Sequence, residues 1–394
     1  MNYETLHKAV SGTAAALRSR TKLQPAGGAG DKVFPPTYAG AVYAKEDRQI
    51  DGKKVPCVLL DSVQAQANRL EEALQQALDS GALKSIPVLN VDFTGLGLLD
   101  EVGRVSSLEA PHRIADAILR DSLHHGQPFR KSELGKSLDQ ASLQNATPLY
   151  KLCPTALIFG LWDSTGPKGG LGSKFQRALV SEIIGVNAEI GVKTSSRIDP
   201  LGMRAAAKVI KKADGSYELA GDKAKDAVSP SEVNHGNIPP DISKPGGAGG
   251  ATLDYAEQTI VLSLPALRKL RFPVDGKTTP ERDAAARTVL AALALTAAAL
   301  AAESGFDLRS RCLLWPTEAM KWQLLETPGT APKEFTLTAD AAIKLLNEAV
   351  VAAERFGLAW QKEPVTLIPS PNLVALLKRS QDIAAKASSD NTAD

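Results

Sequence analysis

The sequence predicts an α+β fold in which helices pack on one face of a sheet. Apolar runs with helical spacing alternate irregularly with short runs of β-branched residues, and long polar segments separate them. A doubly wound parallel sheet would alternate strands and helices more regularly, and no internal repeat indicates a solenoid. The 394 residues are enough to bury a large core, and we expect one elaborated domain over residues 1–394.

In the first half, apolar spacing and capping residues define the expected elements. Val63, Leu70 and Leu74 share one face of a predicted helix, whose N-cap is Asp61 or Ser62. Pro111 suits the first turn of another helix, and Ser173 suits the N-cap of a third. The expected order is a helix at 3–16, strands at 17–23 and 55–60, a helix ending at residue 78, a strand at 86–93, a helix at 111–123, a strand at 155–162 and a helix at 174–184.

The second half contains a long alanine-rich segment. Its apolar run, Val289–Ala302, is shorter than the roughly 18 residues of a membrane span, so we expect a buried helix and no membrane contact. Met1–Leu17 lacks a signal-peptide core, which favours a soluble cytoplasmic protein. Asp214-Gly215 is typical of a hairpin turn. The expected elements are a hairpin at 209–219, strands at 259–264 and 311–315, and helices at 280–303 and 338–356.

Polar segments rich in glycine and proline interrupt these elements. Gln24–Pro36 and Asp222–Ala251 read as long loops, and Gly126–Thr147 reads as an excursion from the core. We therefore expect insertions at 95–150 and 190–255. The tail, residues 388–394, is expected to be disordered.

Known catalytic and metal motifs are missing from the sequence. Gly166–Lys174 has neither Walker nor dinucleotide spacing, and the five histidines lack metal-ligand spacing. His124-His125 is expected to end a helix as a solvated cap. The three cysteines lie far apart, without the spacing of a zinc site or a disulfide framework. The sequence thus predicts no catalytic residues, no metal and no cofactor.

Local charge is more informative than the net charge of +2. Nine basic and three acidic residues lie between Lys168 and Lys212, and eight basic and four acidic residues between Arg18 and Lys54. Such clusters suit contacts to phosphates. Aromatic residues form only 5% of the chain, and no aromatic RNA-binding signature is present, so stacking of bases on a sheet is not expected.

Five sequence blocks resemble a known family. They are 22–28 (KLQPAGG), 33–40 (VFPPTYAG), 59–73 (LLDSVQAQANRLEEA), 159–177 (FGLWDSTGPKGGLGSKFQR) and 193–202 (KTSSRIDPLG). They resemble the Cas-seven-type backbone subunit, a member of the RAMP superfamily, of the type I-G (formerly I-U) CRISPR Cascade complex. The resemblance lies in the first half of the chain.

The resemblance implies a modified RRM-like (ferredoxin-like) palm with large finger and thumb insertions. It also implies a non-enzymatic function, in which copies bind head to tail along a guide crRNA and support its pairing with a complementary target DNA strand. Further implied partners are other Cascade subunits, namely a large subunit and a fused five/six-type capping and processing subunit, and a recruited helicase-nuclease.

In this family context we expect guide contacts from three groups of residues and from two weaker candidates. The first loop contributes Lys22, Gln24 and Tyr38. The helix start contributes Ser62, Gln64, Gln66, Asn68 and Arg69. The glycine loop contributes Lys168, Gly169, Gly170, Ser173, Lys174 and Arg177. Arg197 and Arg204, near an expected thumb, are the weaker candidates.

Three other functions stay open at this point. A CRISPR-associated endoribonuclease that processes or cleaves RNA would need converging acid and base groups, for which His124 and His125 are candidates. A metal-dependent nuclease would need a carboxylate such as Asp199. A metabolic enzyme would bind a phosphorylated ligand at the glycine loop.

Overall fold

The structure is a computed structural model that describes residues 1–84, 86–163, 174–212, 215–221, 224–242 and 249–390. Its helices, in chain order, are α1 (Tyr3–Ser11), α2 (Val63–Asp79), α3 (Ala117–Arg120), α4 (Glu133–Asp139), α5 (Thr147–Leu152), α6 (Thr155–Phe159), α7 (Leu264–Arg268), α8 (Pro280–Ser304), α9 (Ala339–Glu354) and α10 (Pro371–Asp390).

The strands are short except at the centre of the main sheet. Those in the first half are β1 (Ala16–Pro25), β2 (Thr37–Tyr38), β3 (Val42–Tyr43), β4 (Lys45–Ile50), β5 (Lys53–Asp61), β6 (Leu89–Asp92), β7 (Arg104–Ser106), β8 (Ser122–His124), β9 (Gln127–Pro128), β10 (Leu161–Trp162), β11 (Lys174–Phe175), β12 (Leu179–Val186), β13 (Glu189–Ile190) and β14 (Thr194–Arg197). Those that follow are β15 (Val209–Lys211), β16 (Tyr217–Leu219), β17 (Ile238–Ile242), β18 (Ala251–Thr252), β19 (Tyr255–Ser263), β20 (Phe306–Asp307), β21 (Leu313–Pro316), β22 (Trp322–Leu325), β23 (Lys333–Phe335) and β24 (Val365–Pro369).

The main sheet joins strands from both halves of the chain. Its order is β20-β21-β1-β19-β12-β5-β4, and β22 pairs with β1 and with β23. The pairing of β1 with β19 is antiparallel and aligns Leu17 with Leu262 and Leu23 with Ala256. Along β19, side chains alternate between buried and half-buried, so one face of the sheet carries the core.

Helix α2 packs on β12 from the buried face of the main sheet, α8 packs against α2, and α9 packs against α8. Leu70 and Leu74 of α2 lie in the same buried cluster as Ile260 and Leu262 of β19. The face of the sheet that points away from these helices, called here the open face, carries alternating polar side chains of β1. The expected α+β architecture is therefore confirmed.

Helix α8 is buried on all sides because its sequence is small and apolar all round. The Thr279 side chain accepts a hydrogen bond from the Arg282 amide, and Pro280 occupies the first turn, which together fix the start of the helix. By length and composition α8 could cross a membrane, but 89% of its most apolar window is buried inside the protein. It is the central core helix of the fold.

Residues 95–150, expected to form an insertion, pack into the same core as the main sheet. The side chains of Phe129 and Leu138 are buried there, so Gly126–Thr147 is not the excursion that its polar composition indicated. A second sheet, in the order β7-β6-β24-β8-β9, joins this part of the chain to β24 near the C-terminus. By contrast, the segment 190–255 contains small two-stranded pairs, β13-β18, β14-β17 and β15-β16.

Several local predictions are confirmed. Strands β5 and β19 and helices α2, α8 and α9 lie where their apolar patterns placed them, and Ser62 is the N-cap of α2. The expected hairpin at 209–219 is present as β15 and β16, although Asp214 lies outside the described residues.

Other predictions are wrong. The α-helix expected at 111–123 is interrupted at Arg113, whose φ of 54° lies outside the α-helical region; a short 3₁₀ turn, Arg113–Ala115, and the four residues of α3 stand in its place. The strand expected at 155–162 is the buried helix α6, which ends at Gly160. The helix expected at 174–184 is β11 and β12, because Leu179–Val186 pairs with β5 and β19 on its two sides. Residues 388–390 of the expected tail belong to helix α10, whereas residues 391–394 lie outside the described residues.

Candidate nucleic-acid interface

A cleft of about 670 Å³ opens beside the start of α2. Its walls come from three parts of the chain: the outer face of α2, the turn around Arg113 that leads into α3, and the pair β10-β11. The lining side chains include amides, arginines and the aromatic rings of Phe159, Trp162 and Phe175, and no carboxylate is among the described residues that line it. They are Gln64, Ala67, Asn68, Pro111, His112, Arg113, Ala115, Ala117, Arg120, Phe159, Gly160, Leu161, Trp162, Phe175, Gln176 and Arg177.

A buried ion pair holds one wall of the cleft against α2. Arg113 donates from Nε and Nη2 to the two carboxylate oxygens of Glu71, and from Nη1 to the carbonyl oxygen of Gly160 at 3.3 Å. Burial raises the pKa of Glu71 to about 7, and the charge of Arg113 opposes that rise. Because both side chains are buried, this pair positions the wall and offers little to a ligand.

Free cations lie at the rim of the cleft. Arg177 is exposed and pairs with no carboxylate among the described residues. The Lys174 ammonium lies 4.9 Å from the ring centroid of Trp162, in a cation–π contact that β10 and β11 create by pairing these two residues. Arg120 is different, because Asp121 holds it in an ion pair of 2.8 Å.

The residues expected at the helix start divide into two sets. Gln64 and Asn68 are exposed and line the cleft. Ser62, by contrast, accepts a hydrogen bond from the Ala65 amide and caps α2. Only part of the group expected at the helix start therefore lines the cleft.

Gln66 and Arg69 do not reach the cleft. Gln66 is 3% exposed, and its amide donates to Asp61 at 2.7 Å and accepts from Ser181 and Gln258. Arg69 forms an ion pair of 2.9 Å with Asp61 and donates to the Leu308 carbonyl oxygen. The buried position of Gln66 is incompatible with a phosphate contact, so we remove it from the expected set as a correction. The helical period places Gln66 on the inner side of α2, and the expectation of an RNA contact did not take that period into account.

The glycine loop is only partly described. Lys168, Gly169, Gly170 and Ser173 lie outside the described residues. Lys174 and Arg177, which follow, lie in and after the strand β11 and not in a helix, so the expected helix N-terminus for phosphates is not formed by them.

The first-loop residues lie elsewhere. Lys22 and Gln24 are on β1, on the open face of the sheet, and the Lys22 ammonium lies 4.8 Å from the ring centroid of Tyr255. Tyr38 is 45% exposed on the small pair β2-β3. None of the three lines the cleft.

The weaker candidates differ from each other. Arg197 donates to the carbonyl oxygens of His235 and Gly236, so it closes a loop of its own segment. Arg204 is exposed. Asp199, the residue considered for a metal-dependent nuclease, accepts hydrogen bonds from the Leu201, Met203 and Gly236 amides, and these bonds lower its pKa.

His124 is the last residue of β8, and His125, with a φ of 49°, lies in the turn that leads to β9. They do not end a helix, which corrects the expectation. Desolvation and the neighbouring His125 lower the pKa of His124. Neither histidine lines the cleft, and no cluster of metal-ligating side chains is found within the described part of the chain.

Sequence reasoning missed two features of the cleft, Arg113 and Trp162. The signal for Trp162 was available: a tryptophan and a lysine on either side of a glycine-rich turn are well placed to pair across a hairpin. Arg113 carried no such signal, since its partner Glu71 is 42 residues away.

The sequence of this region matches a known family. Residues 17–190 match the family model of CRISPR-associated protein GSU0053. All residues that line the cleft fall within the matched segment. The match agrees with the CRISPR association that the five sequence blocks indicated, while the type I-G subtype belongs to the proposal below.

Two further comparisons add little. The crystal structure of Thermofilum pendens Csc2 aligns with the chain at 12% sequence identity and a TM-score of 0.27. The alignment includes 98% of this chain and 84% of the Csc2 chain. A TM-score this low carries no argument about fold or function. No curated protein matches the chain.

Proposed function

We propose that the chain is a non-catalytic backbone subunit of a type I-G CRISPR Cascade complex, which binds guide crRNA in several copies. One observation carries the proposal: the segment that matches a CRISPR-associated family contains every described residue of the cleft, and none of those lining residues is a carboxylate. A polyanion is the ligand class that such a lining favours.

The cleft can hold a sugar–phosphate backbone through charge and amide donors. Lys174 and Arg177 supply positive charge at the rim, and Gln64 and Asn68 supply hydrogen-bond donors from one face of α2. The expected contacts Lys168, Gly169, Gly170 and Ser173 directly precede Lys174 in sequence and stay part of the proposal. Contacts of this kind carry little sequence preference, so the base edges of the guide remain available for pairing.

The proposal extends to assembly and target capture. Copies of the chain bind head to tail along the spacer. Because the guide is already ordered, it loses less conformational entropy when it pairs with target DNA. A head-to-tail contact between copies that does not close into a ring produces a helical filament. The guide RNA and the capping subunits limit the length of that filament. The large subunit, the fused five/six-type subunit and the recruited helicase-nuclease complete the proposed set of partners.

Co-expression with a CRISPR array and the accompanying subunits tests the proposal. We expect the purified complex to contain RNA of uniform length, and we expect longer spacers to recruit proportionally more copies, measured by native mass spectrometry. A complex free of RNA would overturn the proposal. Site-specific cleavage of repeat RNA by the isolated chain, lost in His124→Ala, would favour the endoribonuclease instead.

A further inference from the structure

The open face of the main sheet has an exposed tryptophan at one corner. Trp315 of β21 is 65% exposed and pairs directly with Gln24 of β1. Directly paired residues of antiparallel strands point to the same side of a sheet. Trp315 therefore shares the open face with Gln24 and with Lys22, two residues earlier on β1.

No aromatic ring or cation stacks on Trp315 within the described part of the chain. Leu313, two residues earlier on the same side, is 50% exposed. An exposed indole of this size is unusual on a sheet, because its ring is normally placed against other side chains. One flat face of the ring is thus available for a ligand.

Two cations lie close to Trp315 in strand position: Lys22 is two residues before its partner Gln24, and Arg311 is four residues before Trp315 itself. The Lys22 ammonium contacts the Tyr255 ring, and the Arg311 guanidinium lies 4.0 Å from the ring centroid of Phe34. Neither cation pairs with a carboxylate among the described residues. Two carboxylates lie in register nearby: Glu257 is aligned with Lys22 and accepts two hydrogen bonds from Arg20 Nη2, at 2.8 and 2.9 Å, and Asp307 of β20 is aligned with Leu313. The corner therefore combines an open ring with two cations that form no ion pair among the described residues.

We infer that Trp315 stacks on an unpaired nucleobase of a bound single strand, with Lys22 and Arg311 at the adjoining phosphates. The inference rests on the proposed function and adds a residue outside the family match, which ends at residue 190. Charge favours this occupant, because an exposed ring that shares a sheet face with Lys22, a cation without an ion pair among the described residues, suits a single strand that offers bases and phosphates together. It also modifies the expectation that the sheet contributes no base stacking.

The corner is separate from the cleft. Leu179 follows Arg177 by two residues and pairs with Leu262 of β19, which in turn pairs with Leu17 near the start of β1. Trp315 pairs with Gln24, near the other end of β1. The two sites thus lie at opposite ends of the central strands. A variant at one site can be tested without disturbing the other.

Binding of two 12-nucleotide probes to the full chain tests the inference, with fluorescence anisotropy as the readout. One probe is oligouridine and the other is an abasic ribose-phosphate strand of the same length. We expect Trp315→Ala to weaken oligouridine binding about 10-fold and to leave the abasic probe within about 2-fold, since a stacked base contributes on the order of 5- to 150-fold. Trp315→Phe should keep part of the affinity.

Leu313→Ala is the matched control, because it removes an exposed apolar side chain from the same strand and face without removing a ring. It should bind both probes like the wild type. Equal oligouridine affinity in wild type and Trp315→Ala would overturn the inference and leave the proposed function intact. An equal loss on both probes, or loss of RNA-free self-association in Trp315→Ala, would overturn it in favour of a charge effect or a protein contact. A wild-type chain that binds neither probe would overturn the proposed function as well.

Discussion

Arg113 and Glu71 form a bidentate pair with both nitrogen–oxygen distances at 2.7 Å, although the two residues are 42 positions apart in sequence. Their side chains are 7% and 1% exposed. The pair fastens the turn before α3 to the middle of α2, and so sets the width of the cleft between them. It also explains the unusual backbone of Arg113, whose positive φ is tolerated because the side chain is held in place.

Breaking this buried pair should destabilise the protein strongly. We expect Arg113→Met to lower the free energy of unfolding by about 3–5 kcal/mol, because it leaves the Glu71 carboxyl buried without its partner. Urea denaturation at pH 8 measures the change. The double variant Glu71→Leu/Arg113→Met should regain most of the loss, since two apolar groups need no partner.

An exposed ion pair on the main sheet provides the control for that measurement. Arg20→Met removes the pair with Glu257, in which the arginine side chain is 58% exposed, and should cost at most about 1 kcal/mol. A double variant as unstable as Arg113→Met alone would contradict the prediction.

Gln66 and Gln64 should respond oppositely to the same substitution. Gln66→Ala removes the buried oxygen that accepts from Ser181 and Gln258 and leaves the Ser181 hydroxyl without its acceptor; we expect it to lower the free energy of unfolding by about 1–3 kcal/mol with RNA affinity retained. Gln64→Ala should change stability by at most about 0.5 kcal/mol and weaken RNA binding. Denaturation and RNA titration of both variants check this, and weaker RNA binding by folded Gln66→Ala would contradict it.

Reversing the rim charges should change how RNA binding depends on salt. Lys174→Glu/Arg177→Glu is expected to weaken binding and to reduce the slope of log K against log salt by about 1.4, at roughly 0.7 per lost phosphate contact. The measurement is a titration with single-stranded RNA at several salt concentrations.

The matched control for this prediction is Lys344→Glu/Lys362→Glu, which has the same net charge. Both lysines are exposed and lie away from the cleft lining, one on α9 and the other after it. The control should keep the wild-type slope. Parallel salt dependences for wild type and the rim variant would show that these two cations do not contact phosphates.

The sequence predicted the elements whose pattern is long and regular. Helices α2, α8 and α9 each extend over 16 or more residues, and capping residues mark their starts. The short apolar run of α6 was assigned to a strand because five buried residues give no period that separates a strand from a helix. Strand β12 was assigned to a helix because a serine and cations after the glycine turn suggested a helix start.

The candidate site was less predictable than the fold. Exposed Gln64, Asn68, Lys174 and Arg177 could be selected from sequence because polar residues beside a helix start or a glycine turn are good ligand contacts. The positions of Gln66 and Arg113 depend on partners such as Gln258 and Glu71, distant in sequence, and these contacts exist only after the sheet has formed. Trp315 was overlooked because its neighbour on the sheet, Gln24, is 291 residues earlier.

The alignment of β1, β19 and β12 has a consequence for any nucleic-acid strand that contacts both ends of the sheet. The seven residues from Leu17 to Leu23 are extended and paired along their whole length with β19, so the six residue steps between the ends span about 20 Å and cannot adjust as a loop would. A ligand that occupies both ends must therefore match a length dictated by hydrogen-bonded backbone. Each additional copy of the chain would impose that same interval again.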